Sequence, residues 1–174
     1  MASLRIILLC VVAAVCYGEV HDQVTARLCV EYFTIGHPPV FHTDSPTLLA
    51  LGWGVIATWW MGVLLGIPAA LCAQAGSWPK HGAAQLVRPV GKLLLAMGCA
   101  AVVAGTIGYY LAQSGSIALR GPLATAVPAE RHALFLTDLW AHSAAYAVGA
   151  LGALGTSGWI LRERRRLARS TAQA

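Results

Sequence analysis

Asp138 and His142 stand four residues apart in HALFLTDLWAH, residues 132–142, a spacing that puts two side chains one above the other on a helix. His21 and Asp22 are neighbours in a second polar stretch, HDQVTARLCVEYFTIGH, residues 21–37. Histidine with carboxylate is a ligand set suited to zinc, iron or manganese. The same pairing also serves proton transfer. The ligand set read from these stretches is His21, Asp22, Asp138 and His142, with His37 and His132 weaker members. His37 precedes a proline and keeps no regular spacing to the others, and His132 points about 120° away from Asp138 around a helix. No HExxH or similarly compact motif occurs, so catalytic residues and a reaction do not follow from spacing.

The elements that must carry these residues are apolar. Hydrophobic residues make up 57% of the 174 and charged residues 11%, against about a quarter charged in a soluble domain. A chain so poor in charge has lipid as its solvent. The pattern predicts one all-α domain, an integral membrane bundle of four transmembrane helices with both termini cytoplasmic. The spans fall at residues 4–20 with a helical extension to 34, then 47–74, 93–113 and 132–161, and a basic tail follows over 162–174. Residues 1–18 also fit a cleaved signal peptide, with Cys16 and Gly18 at the cleavage positions. An uncleaved helix is favoured because neither proline nor glycine interrupts it before Gly18.

From His132 to Leu161 is 30 residues, whereas about 20 cross the hydrocarbon core. The surplus puts Asp138 and His142 at or just inside the interface. A carboxylate at that depth faces protein or water, since an unpartnered charge in hydrocarbon costs several kcal/mol.

Charge sets the orientation. Arg162, Arg164, Arg165, Arg166 and Arg169 follow an apolar run directly, and residues 75–92 carry basic residues and no acidic one. Both belong on the cytoplasmic side. Residues 19–46 and 114–131 hold five of the seven acidic residues, so the histidine-rich end faces outward, toward the periplasm of a bacterial inner membrane. The placement of the net charge of +5 thus points to anionic lipid headgroups at the arginine cluster and excludes nucleic acid.

At 100° per residue, Arg131, Phe135, Asp138, His142, Tyr146 and Gly149 share a face of the fourth helix. His21, Asp22, Thr25, Leu28, Cys29 and Tyr32 share one on the first, with Arg27 and Glu31 off it as a surface pair. Gly62 and Gly66, and the glycines from Gly149 to Gly158, suit close helix packing and allow a homo-oligomer or a membrane-complex partner. Five cysteines without a CxxC are packing residues, Cys29 included.

Tyr17-Gly18-Glu19-Val20-His21-Asp22-Gln23-Val24-Thr25-Ala26-Arg27, continuing through Cys29-Val30-Glu31-Tyr32-Phe33-Thr34 to His37-Pro38, resembles the N-terminal signature of an uncharacterised family of small bacterial integral membrane proteins. The resemblance covers the first third of the chain. It implies a bacterial inner membrane and brings no activity, cofactor or catalytic residue.

Three functions fit these residues. The first is a metal-binding or catalytic site at the outer end of the bundle. The second is a non-enzymatic accessory subunit or assembly factor whose polar cap meets a partner. The third is a haem-binding electron-transfer protein with His21 and His142 as axial ligands, which ranks below a non-haem metal.

Overall fold

Backbone amides in lipid must be satisfied within their own segment, and every apolar stretch of this chain is helical. The computed structural model describes residues 1–173. Its helices are α1 (Ala2–Leu28), α2 (Val30–Thr34), α3 (Pro46–Ile56), α4 (Trp59–Gln74), α5 (Ala83–Gln113), α6 (Pro122–Ala126) and α7 (His132–Ala172), the last entered through a 3-10 turn at Ala129–Arg131. Four spans, with α3 and α4 together forming the second, are long and apolar enough to cross a membrane. The protein is an all-α four-helix bundle of the multi-pass membrane type.

The spans alternate in direction. Ile6, Ala69, Ala73, Leu86 and Ile160 cluster at one end, while Ala26, Trp53, Leu119 and Phe135 cluster at the other. Around the bundle the order is α1, α3/α4, α7, α5, each packed on the next. Leu95, Val102, Leu151 and Leu154 lie exposed on the outside. In water such a surface would aggregate, whereas in lipid it is the expected one.

Local structure departs from the sequence pattern in four places. The first span ends at Leu28 and does not run on to residue 34. Cys29 is extended (φ −148°, ψ 93°), and the Arg131 guanidinium donates to the Leu28 carbonyl at 2.8 Å. This break turns Glu31 off the face of Arg27, so the expected Arg27–Glu31 pair does not form. Arg27 instead donates to the Gln23 carbonyl at 2.6 Å and to Thr47 Oγ1 at 2.9 Å. Glu31 accepts from Arg131 Nε at 3.0 Å.

The second departure is a break in the second span at Ala57 and Thr58, where the Thr58 hydroxyl donates to the Gly54 carbonyl. Third, α5 begins at Ala83, ten residues before the expected 93. Arg88 and Lys92 make that turn look like a loop, yet helices continue past the hydrocarbon when their inner face is apolar, and Leu86 is fully buried there. Fourth, the basic tail is helical to Ala172 and makes α7 41 residues long, or about 60 Å.

The α1–α3/α4 contact is a backbone-to-backbone approach. A Cβ at Gly54 would lie 2.7 Å from the Glu19 nitrogen and Cα, and one at Gly62 would lie 2.5 Å from the Val11 Cα. Neither neighbour is a flexible side chain, so a larger residue must push the helices apart. Gly54→Val is expected to lower stability by about 1–3 kcal/mol or more, read as a lower melting temperature in detergent. Gly98→Ala, where a Cβ meets nothing within 4 Å, should show no loss, and an equal loss in both would overturn this account.

At the other end, Arg164 is 1% exposed and has no carboxylate partner among the described residues. Its guanidinium donates to the carbonyls of Pro79 (2.8 Å), Ala75 (2.7 Å), Trp78 (3.0 Å) and Cys72. These are the carbonyls that the end of α4 and the following turn leave unsatisfied. The helix C-terminus carries partial negative charge, which suits a buried cation.

Candidate metal site

His21 and Asp22 sit near the end of α1, and His142 lies ten residues into α7. Packing of the spans brings these three together although 120 residues separate Asp22 from His142. Each offers one ligand atom, and the three atoms lie within 4.8 Å of one another. Asp22 is 5% exposed, and the two histidines are half-buried.

Hydrogen bonding selects the His142 tautomer. Nδ1 lies 2.8 Å from the Asp138 backbone carbonyl, an oxygen that only accepts, so Nδ1 carries a proton. Nε2 is then directed at Asp22 Oδ1, 3.1 Å away. Ligand atoms around a tetrahedral zinc at about 2.0–2.2 Å stand roughly 3.3 Å apart, close to this separation. The carbonyl acts as the outer partner that fixes a ligating imidazole. With a proton on Nε2 the same geometry is a His–Asp ion pair.

Aromatic rings wall the group off. Tyr32 stacks on His142 with centroids 4.6 Å apart and planes inclined by 25°. Tyr17 stacks on His21 at 5.6 Å. Tyr32 lies on α2, which follows the extended Cys29 and packs against both α1 and α7. The Tyr17 hydroxyl and His21 Nε2 are buried with no hydrogen-bond partner.

The other expected ligands lie elsewhere. Asp138 is fully buried, but its link to His142 runs through its backbone carbonyl, and both carboxylate oxygens lack a partner. It lies outside the three-residue group. His37 Nδ1 donates to the Tyr32 carbonyl at 2.8 Å, with its ring 4.7 Å from Trp53. His132 Nε2 donates to the Val127 carbonyl at 3.0 Å. His37 is thus tied to α2 and His132 to the end of α6, and neither joins the three-residue group, although His37 lines the same cavity. The axial-ligand arrangement for haem is not met either. His21 and His142 contact edge to face at 4.4 Å between centroids, which leaves no room for a macrocycle between them.

The tyrosines are what sequence reasoning missed. Tyr17 had a signal, since it lies four residues before His21. Tyr32 was on the His21 face by helical period, but its stacking on His142 follows from the structure around the break at Cys29.

Cys29 lies beneath this wall, fully buried, and its thiol donates to Glu31 at 3.3 Å. Burial first, then that hydrogen bond, push its pKa up to about 12, and an unfolded thiol ionises near about 8.5. The folded thiol keeps its proton where the unfolded one loses it, so this group lowers stability as pH rises from about 8.5 towards about 12. Cys29→Ala is expected to flatten that alkaline loss. Iodoacetamide at about pH 8 should leave Cys29 unmodified until the protein is unfolded, as read by peptide mass spectrometry. Rapid modification of the folded protein would show that the thiol is accessible.

No protein-family model, curated protein or solved structure shows significant similarity to this chain.

Proposed function

We propose that this protein is a bacterial inner-membrane metalloprotein in which His21, Asp22 and His142 hold one divalent zinc, iron or manganese ion at the periplasmic end of the bundle. The observation that carries the proposal is the convergence of three ligand atoms within 4.8 Å, with His142 held in the tautomer that frees Nε2. Structural zinc sites fill four positions with protein ligands, whereas catalytic ones keep a position open. Three ligands therefore point to a site that receives water or a substrate oxygen. An ion bound there would supply Lewis-acid activation of that oxygen. Asp22 and the histidines bind, Asp138 orients His142 through its carbonyl, and Tyr17 and Tyr32 limit the access of bulk water.

The orientation rests on charge. Nine of the twelve basic residues lie at the Arg164 end, and six of the seven acidic residues lie in the half that holds the metal ligands. That asymmetry supports an outer position for the ligands.

The test is elemental analysis of tag-free protein purified in detergent without chelator, followed by cobalt substitution. About one ion per chain is expected, with cobalt giving the visible absorption of a low-coordinate nitrogen/oxygen site. Protein that stays metal-free after growth and reconstitution with each candidate metal would overturn the proposal.

A further inference from the structure

A crevice opens from the His/Asp cluster into the centre of the bundle, and its dimensions and lining say what it takes. Its volume is about 150 Å³. Along α7 its lining extends from His142 to Thr156, about 21 Å at 1.5 Å per residue. So little volume over such a length is one file of methylene groups. It suits a single chain better than a two-chain phospholipid.

Beyond the cluster the walls are apolar, with Ala14, Met97, Leu93, Leu86 and Ala153 at successive places. Tyr146 lines the crevice one turn past His142, and beyond it the two hydroxyls are already committed: Thr156 donates to the Gly152 carbonyl at 2.8 Å and Thr58 to the Gly54 carbonyl. Nothing there would satisfy a polar group, so the occupant's chain is a hydrocarbon.

The other end is the reverse. The Tyr17 hydroxyl and His21 Nε2 are buried without a partner, and both residues line the crevice together with Asp22 and His142. In the ion-free cluster a neutral hydroxyl can accept from one and donate to the other, while an anionic head would meet the Asp22 carboxylate.

We propose that the crevice binds a single-chain lipid alcohol, with its hydroxyl at His21, Asp22 and Tyr17 and its acyl or prenyl chain running between the four helices toward Leu86 and Thr156. This names the substrate class of the metal site and rests on that reading only for what happens to the head group.

The test uses hexadecanol carrying a diazirine at its chain terminus, added to the full-length protein in nanodiscs, irradiated and mapped by peptide mass spectrometry. Label is expected on Leu86, Val90 or Thr156, and the decanol analogue should label nearer the cluster, at Met97 or Gly149. Excess unlabelled hexadecanol should remove the label. Competition by geranylgeraniol assigns the site to prenyl chains, and its failure beside successful hexadecanol assigns it to acyl chains. Ala153→Leu and, separately, Ala14→Leu should abolish the deep label while leaving helicity and bound metal at wild-type levels. Label confined to outward-facing Val102, Leu151 and Leu154, uncompeted and equal in the variants, would overturn the proposal. Crevice labelling in a protein that never binds metal would sink the metal reading and leave this one standing. Stoichiometric metal without crevice labelling would do the opposite.

Discussion

His142→Ala is expected to reduce bound metal from about one ion per chain to near zero, with helicity unchanged by circular dichroism. A single alanine has so large an effect because His142 supplies the only ligand from α7, while His21 and Asp22 both come from α1. Two adjacent residues on one helix do not form a site that competes with chelators. Asp22→Asn should act almost as strongly, since the amide keeps the shape and loses the anionic oxygen that faces Nε2 at 3.1 Å.

Asp138→Asn provides the contrast. Its carboxylate oxygens are buried and unpartnered, and its tie to His142 is through the backbone. The asparagine variant keeps that carbonyl, so it should retain metal and lose no stability, because a buried carboxylate without a partner is itself a cost. Metal lost equally from Asp22→Asn and Asp138→Asn would show that the carboxylates act as a pair and that the three-residue site is incomplete.

Arg164→Leu should be the most destabilising single change at the opposite end. One guanidinium satisfies four carbonyls of the α4 terminus and its turn. Removing it takes the donor from all four at once, although Ala75, Trp78 and Pro79 are exposed and Cys72 is half-buried. Hydrogen bonds to charged groups contribute about 1.5–3 kcal/mol each, but relaxation and water entry offset part of that sum. A net loss on the order of 3–5 kcal/mol is expected, measured by denaturant or thermal titration in detergent. Arg164→Lys should recover only a fraction, because an ammonium has three donors and no planar fork to span the turn. Arg165→Leu is the control, exposed and without a hydrogen bond to the turn, and should be near neutral. Equal effects at both positions would mean that the arginine run acts by charge alone.

Much of the architecture was legible because lipid makes the code simple. Long apolar stretches must be helices, and their number follows from hydropathy without knowledge of contacts. The ends were less legible. Arg88, Lys92 and the arginines after Leu161 mark where hydrocarbon ends, and α5 and α7 continue beyond it because an apolar face still packs there.

His21, Asp22 and His142 could be singled out by residue type, depth and helical face. Which carboxylate would meet which histidine could not. Asp138 and His142 have the ideal spacing for side-chain contact, yet Nδ1 turns to the nearer backbone carbonyl and leaves Nε2 for Asp22 on another helix.

By itself, then, the sequence determined the solvent, the four spans and the short list of ligating side chains, since each depends on local composition and helical period. Only the tertiary structure decided the partners. Arg131 takes the Leu28 carbonyl and Glu31, and past the break at Cys29 Tyr32 stacks on His142. Arg164 leaves the arginine run to close the end of α4. These contacts join residues about 85 to 120 positions apart, where no local period operates and the hydrogen-bonding needs of buried groups make the choice.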